Sequence, residues 1–323
     1  MALHRRTAAA LAGAAGAAAL AAGLSVAYSG AASAATGAPQ AAGGCAAAPS
    51  SCGYPDATNT GITPGTTLKT VPGQVSSGPG WHFDPRGWVA VDGAGAVLSG
   101  LNIPYNINVT APNVTIKDVQ VTTSGQPGIS VRHASNLTIQ NSAITGVNTT
   151  TGRMLAGVKD MYGDSTGLAV LRTNISQAET GVQLESGLVQ DNYIHNTGYL
   201  PGDHVNGVTS NGGVTTLLTI THNTIYIDRS QTDAIGLFDD FGVQANRTIT
   251  SNLVAGGGYP IYGGQNPGTP APTGIRVTGN RVATIYYPKG GAYGPAAAYS
   301  TTGTGNTWTG NTWDTTGLTI PAP

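Results

Sequence analysis

His204 stands between Asp203 and Asn206, an order in which a carboxylate can orient an imidazole for proton transfer. Asp233 leads into a short aliphatic segment and is the second carboxylate with a catalytic bearing, and Lys159, one of four lysines, would serve as a base if its pKa were lowered. The competing readings are a structural loop histidine and a plain surface lysine. Asp239 and Asp240 are adjacent at the end of a segment, which suits two carboxylates in one site, a calcium site or a solvated turn. These residues matter because ionisable groups are scarce. Only 9% of the chain is charged, against roughly 25% for an average soluble domain.

Most of these residues fall on or beside one family of short segments, GISVRH (128–133), GVKDMY (157–162), GVQLES (181–186), GVTSNG (207–212), AIGLFD (234–239) and PIYGGQ (260–265). Stacking them on Ile129, Val158, Val182, Val208, Ile235 and Ile261 as inward residues predicts outward columns, because side chains alternate across a strand. One column runs Ser130, Lys159, Gln183, Thr209, Gly236, Tyr262. A second runs Arg132, Met161, Glu185, Asn211, Phe238, Gly264, and a third, at the strand starts, runs Thr180, Asn206, Asp233, Tyr259. Parallel neighbours lie about 4.8 Å apart, so members of a column can act on one bound molecule. Tyr199, on the loop leading to Asp203 and His204, joins Tyr259, Tyr262 and Phe238 as an aromatic surface, and Glu185, Gln183, Asn206 and Arg132 supply directed polar groups. Rings beside carboxylates and amides are what sugar recognition needs, through stacking and oriented hydrogen bonds.

The element that must position these strands is a repeated phrase. It reads NVTIKDVQV (113–121), NLTIQNSAI (136–144), GLAVLRTNI (167–175), SGLVQDNYI (186–194), LLTITHNTI (217–225), RTITSNLV (247–254) and GIRVTGNRV (274–282). Its final aliphatics, Val121, Ile144, Ile175, Ile194, Ile225, Val254 and Val282, are separated by 23, 31, 19, 31, 29 and 28 residues. Alternation of period two, rich in Val, Ile and Thr, marks strands. A unit of this length without a helical half predicts an all-β chain, a parallel β-helix of about nine to eleven coils. Strands paired on both edges satisfy their own backbone, so Thr, Asn, Ser and Gly suffice on the surface.

Residues 1–34 read as a signal peptide: His4, Arg5 and Arg6, an Ala/Leu/Gly run, then Ala32-Ser33-Ala34 as cleavage site. The general secretory route fits better than the twin-arginine one, since the hydrophobic residue usual after the arginine pair is missing. Residues 35–60 read as an Ala/Gly-rich linker and a disulfide-tethered N-terminal segment, and residues 61–323 as the β-helix domain with a C-terminal cap bearing Trp308 and Trp313. Cys45 and Cys52, the only cysteines, read as one disulfide tethering the N-terminal cap, worth about 2–3 kcal/mol. A net charge of −1 argues against nucleic acid or an anionic membrane as partner. The expectation is a secreted monomer without stable membrane insertion, and with no cofactor other than the calcium considered above.

The phrases CGYPDATNTGITPGTTL (52–68), APNVTIKD (111–118), DNYIHN (191–196), DHVNGV (203–208) and NLVAGGGYPIY (252–262) resemble secreted, Gly-rich proteins of actinobacteria in the pectate-lyase-like superfamily. The resemblance implies a single-stranded right-handed parallel β-helix and a polysaccharide partner. This chain departs from the pattern, with His204-Val205-Asn206-Gly207 where relatives resemble His-Asn-Asp-Gly, and Thr180-Gly181-Val182-Gln183 where they resemble Asp-Gly-Val-Lys. The expected function is therefore a lyase or glycoside hydrolase acting on a uronate-containing polysaccharide. The alternative is a non-catalytic glycan-binding or cell-surface module with a degenerate face.

Overall fold

The computed structural model describes residues 44–147 and 152–323. The proposed signal peptide and the first part of the linker lie outside them. The described residues form a parallel β-helix whose turns each supply two consecutive strands to one long face and one strand to a second face. On the long face the aligned aliphatics form one inward column, Val121–Ile144–Ile175–Ile194–Ile225–Val254–Val282, paired residue to residue and ended by Trp313. All seven aliphatics are 3% exposed or less, so this column is the core. The second face is nine parallel rungs deep, from Trp88–Val91 to Ala296–Ala297. About seven turns carry the long face as two separate strands, beginning with Thr138–Gln140 and Ala143–Gly146.

The corner between those two strands explains the polar residues inside the phrase. Asp118, Asn141, Arg172, Asp191, His222 and Ser251 occupy the left-handed region, with φ between 45° and 57°, and Gly279 and Gly310 continue the series. Short polar residues and glycine enter this region most readily, hence the recurring Asp, Asn, Ser and Gly. The residue after each bend turns inward. In the later turns it is Asn192, Asn223, Asn252, Asn280 and Asn311, all 1% exposed or less. Each of these amides but the last donates through Nδ2 to Oδ1 of the next at 2.9 Å, and the same Oδ1 accepts the neighbouring backbone N–H. Thr173 and Ser142 occupy the same place in earlier turns.

A second small-residue column bends the other face. Gly128, Gly157, Gly181 and Gly207 precede the inward aliphatics, and a Cβ there would sit 2.2–2.6 Å from Cγ2 of Ile144, Ile175, Ile194 and Ile225. The wall closes down on the isoleucine column only because these positions lack side chains.

The ends correct one expectation. The N-terminal end is closed by the antiparallel strands Ser77–Gly78, Trp81–Asp84 and Trp88–Val91, with Trp81 and Val71 buried, rather than by the cysteine loop. Cys45 and Cys52 are bridged, but their loop docks against Tyr226, Leu253, Ala255 and Ala283 near the other end. There the Ala46 N–H donates to Asp314 Oδ2 at 3.0 Å, and the Tyr226 hydroxyl donates to the Ala46 carbonyl at 3.0 Å. The chain then runs back along the left-handed corners. Tyr54 stacks on His222 at 5.3 Å, Gly61 N–H donates to Arg172 O and Thr63 N–H to Asp118 Oδ1, before Lys69–Thr70 pairs with Leu101–Asn102. Residues 45–68 are thus a strap along the solenoid, not a free linker. Its apolar contacts, buried Cys45 and Ala46 on Tyr226, are why it docks there. At the C-terminal end Trp308 and Trp313 pack partly buried against the core, and Trp308 Nε1 donates to Ile320 O at 2.8 Å. Among the described residues no helix is long and apolar enough to cross a membrane.

Replacing Asn223 with Ala strands the Asn192 N–H and the Val189 carbonyl in the core. Each buried group left unpaired costs about 1–3 kcal/mol, so chemical denaturation should show a loss of about 3 kcal/mol or more. The strap should fail first in acid. Burial pushes Asp56 up, but hydrogen bonds from Ser50 and Thr58 outweigh it and hold the carboxyl at about 2. A lowered folded-state pKa contributes stability above the unfolded value of 3.8, lost as pH falls toward 2. Hydrogen exchange of residues 45–63 should rise over that interval before the Asn column exchanges, and C52S should shift the onset to higher pH.

Candidate functional site

One of the three aligned columns is found whole in the strand register and another in part. Ser130, Lys159, Gln183, Thr209, Gly236 and Tyr262 are successive register partners, and so are Thr180, Asn206 and Asp233. Three adjoining hollows of about 340, 330 and 270 Å³ meet at Gln183 on this face. Together they make a trench across the rungs. Lys159 and Glu179 line one side, Gln183, Thr209 and Asn211 the floor, and His204, Phe238 and Asp240 the far end. The Lys159 side chain makes no hydrogen bond or ion pair among the described residues, and its charge acts on Glu179.

Several carboxylates assigned to chemistry are engaged in holding the fold. Asp203 does not orient His204. It takes Arg153 in a two-point grip, Nε to Oδ2 at 2.6 Å and Nη2 to Oδ1 at 2.7 Å, and accepts the Leu200 N–H. Arg153 also reaches Glu179 at 2.5 Å, so one guanidinium fastens the loop before His204 to the trench wall. The His204 ring instead meets Gln231 Nε2 at 3.1 Å and Thr232 Oγ1 at 3.4 Å. Glu185 is 5% exposed and accepts from Ser210 Oγ and from the Asn211 and Gly212 N–H groups at 2.6–3.0 Å. It closes a turn, its oxygens taken by these donors, at the edge of the hollow it helps to line. Behind it lies Arg247, fully buried, donating to the carbonyls of Val214, Ala245 and Thr216. Burial lowers its pKa to about 10, against the pull of Glu185.

Asp233 points outward in register but is sealed, with 0% exposure and no partner for either oxygen. Its carboxyl lies flat on Gly236, where a Cβ would sit 2.6–2.7 Å from it. Tyr259 and Tyr262 do not form an open platform with Tyr199. They pack edge to face at 5.4 Å, with Tyr262 against Phe238 and Tyr259 against Tyr293, at the end of the trench beyond Asp233. Tyr199 lies in a separate hollow under Arg229, 4.9 Å from its ring. Arg132 is bonded at 3.1 Å to the hydroxyl of Tyr162, which lines the trench, but does not itself line it. At the calcium candidate, Asp239 accepts from Asn266 while Asp240 faces the trench, and no group of three His, Cys, Asp or Glu converges among the described residues.

Glu179, one residue before Thr180, also lines the trench, half-buried. Burial raises its pKa, Arg153 opposes this, and Asp203 adds to the rise. The sequence signal that could have found it is its place immediately before the outward Thr180. Register without side-chain partners did not distinguish it from Glu185.

No family model matches the chain, and no curated protein matches it. Among solved structures, a crystal structure of the pectate lyase Pel9A is similar over 73% of this chain, at 14% identity and a TM-score of 0.38. The chain spans 64% of that lyase's length. The architecture described here rests on the strand pairings themselves.

Removing the Arg153 clamp separates its roles. R153L leaves Asp203 and Glu179 as facing acids, and the loss should fall between the about 1 kcal/mol of an exposed pair and the about 3–5 kcal/mol of a buried one. Limited proteolysis should then cut at residues 198–204 while the solenoid stays intact. G236A drives a methyl into Asp233 and should cost about 1–3 kcal/mol by thermal denaturation.

Proposed function

We propose that this is an exported protein that binds an extracellular, uronate-containing polysaccharide along the trench of the second face. The observation that carries this is Lys159 and Gln183 on successive rungs with Asn211 beside them, a cation whose side chain makes no hydrogen bond or ion pair among the described residues next to accessible amides. Lys159 pairs a uronate carboxylate, Gln183 and Asn211 hydrogen-bond sugar hydroxyls, and Phe238 offers a ring face at the far end. Export is supported by the signal-like start and by the disulfide, a bond kept mainly in oxidising compartments.

One observation favours catalysis as a second reading. Glu179, raised by burial, faces the same trench as Asp240 and His204. In a hydrolase Glu179 would be the acid that gives a proton to the glycosidic oxygen, and Asp240 the group that activates water or attacks the sugar. In a lyase, Lys159 or His204 would remove the proton beside the uronate carboxylate.

Pectins, alginates and glucuronans tested for binding by depletion, for unsaturated uronates by ultraviolet absorbance and for new reducing ends separate these readings. Binding without either product is the expected result. K159M should weaken it about tenfold, the loss of one charge-assisted contact. Failure to bind every glycan tested overturns the proposal. New reducing ends abolished by E179Q would establish the hydrolytic reading instead.

A further inference from the structure

The second face buries polar groups that ordinary ionisation leaves unpaired. Asn206 and Asp233 are register partners on adjacent rungs, and Asn206 Oδ1 and both carboxyl oxygens of Asp233 are buried without a hydrogen-bond partner. The orientation of the Asn206 amide is fixed, because its Nδ2 donates to the His204 carbonyl at 2.9 Å. Its oxygen is therefore the atom left over. An ionised Asp233 offers only acceptors, so acceptor would face acceptor around an unpaired charge. One proton between them resolves all of this.

We infer that Asp233 is a neutral carboxylic acid whose O–H donates to Asn206 Oδ1, and that through Asn206 it positions His204 at the end of the trench. It is a positioning residue, since it touches no ligand-accessible space. The surroundings fit a neutral group. Gly236 lies beneath the carboxyl, and a Cβ on Gly257 would sit 2.7 Å from the Asp233 Cα, so backbone closes it on two sides. The titratable groups near it are phenols, Tyr262, whose pKa is raised first by burial, with Tyr259 and Tyr293 behind. The His204 ring lies beside Thr232 on the same strand. Burial alone acts on Asp233, well above the usual carboxylate range, with no cation offsetting it among the described residues.

The sign follows. A folded-state pKa above the unfolded value gives stability that is complete below the unfolded value of 3.8 and lost as pH rises through the folded one. This inference stands whatever the trench binds.

Infrared spectra of the parent protein at neutral pH should show the carbonyl stretch of one buried carboxylic acid, missing in D233N. An asparagine supplies an N–H to Asn206 Oδ1 with no proton to lose. D233N should therefore keep or raise Tm at neutral and mildly alkaline pH, and flatten its decline with pH. D233A should lower Tm at every pH and move the His204 ring resonances, which D233N restores. Absence of the acid band in the parent protein overturns the inference. So does a rise in Tm when calcium or sodium is titrated into chelator-treated parent protein but not into D233N, since a cation would then be neutralising a carboxylate.

Discussion

The corner of each turn is the constraint on which the other features depend. A residue held at positive φ bends the strand, and the next side chain turns into the core and bonds its counterpart in the neighbouring turn. Buried amides must be paired, and an amide column pairs only when the turns stack in a single register. That register fixes which aliphatics meet in the interior. It equally fixes which side chains share an outward column on the opposite face, so the trench inherits its order from a corner it never touches.

Charge is sparse, and much of it is spent inside the scaffold. Arg247 gathers carbonyls beside the Glu185 turn, Arg153 joins Asp203 to Glu179, and Arg281 holds Asp314, which also receives the strap. Each guanidinium ties an irregular segment to regular rungs, a task its planar set of donors performs better than lysine. The trench is lined by Lys159, Glu179, His204 and Asp240, with Tyr162 and the hydrogen-bonded Asp160 and Glu185 at one end, among hydroxyls and amides.

The strap adds a second kind of closure. It lies along the left-handed corners, where each bend exposes Asp118, Arg172 or His222, and uses them as docking points. Backbone groups at bends lack strand partners, and a strap covering them extends the pairing that strands provide elsewhere.

Much of this was legible in the chain. The recurring aliphatics gave the inward column from Val121 to Val282, and stacking Ile129 through Ile261 gave the outward partners of Lys159 and Asn206, because period-two alternation and a fixed rung spacing leave little freedom. What alternation cannot specify is how a side chain finds partners outside its own strand. Asp233 and Lys159 are both outward by register, yet Tyr262 and the glycine backbone seal the first and leave the second open. Asp203 and Glu185 looked available until Arg153 and the Ser210 turn, distant in sequence, took their oxygens. The sequence by itself determined the scaffold and its columns, since these follow from local periodicity. The tertiary structure alone decided which carboxylates remain for chemistry, since that depends on contacts between loops that no local pattern encodes.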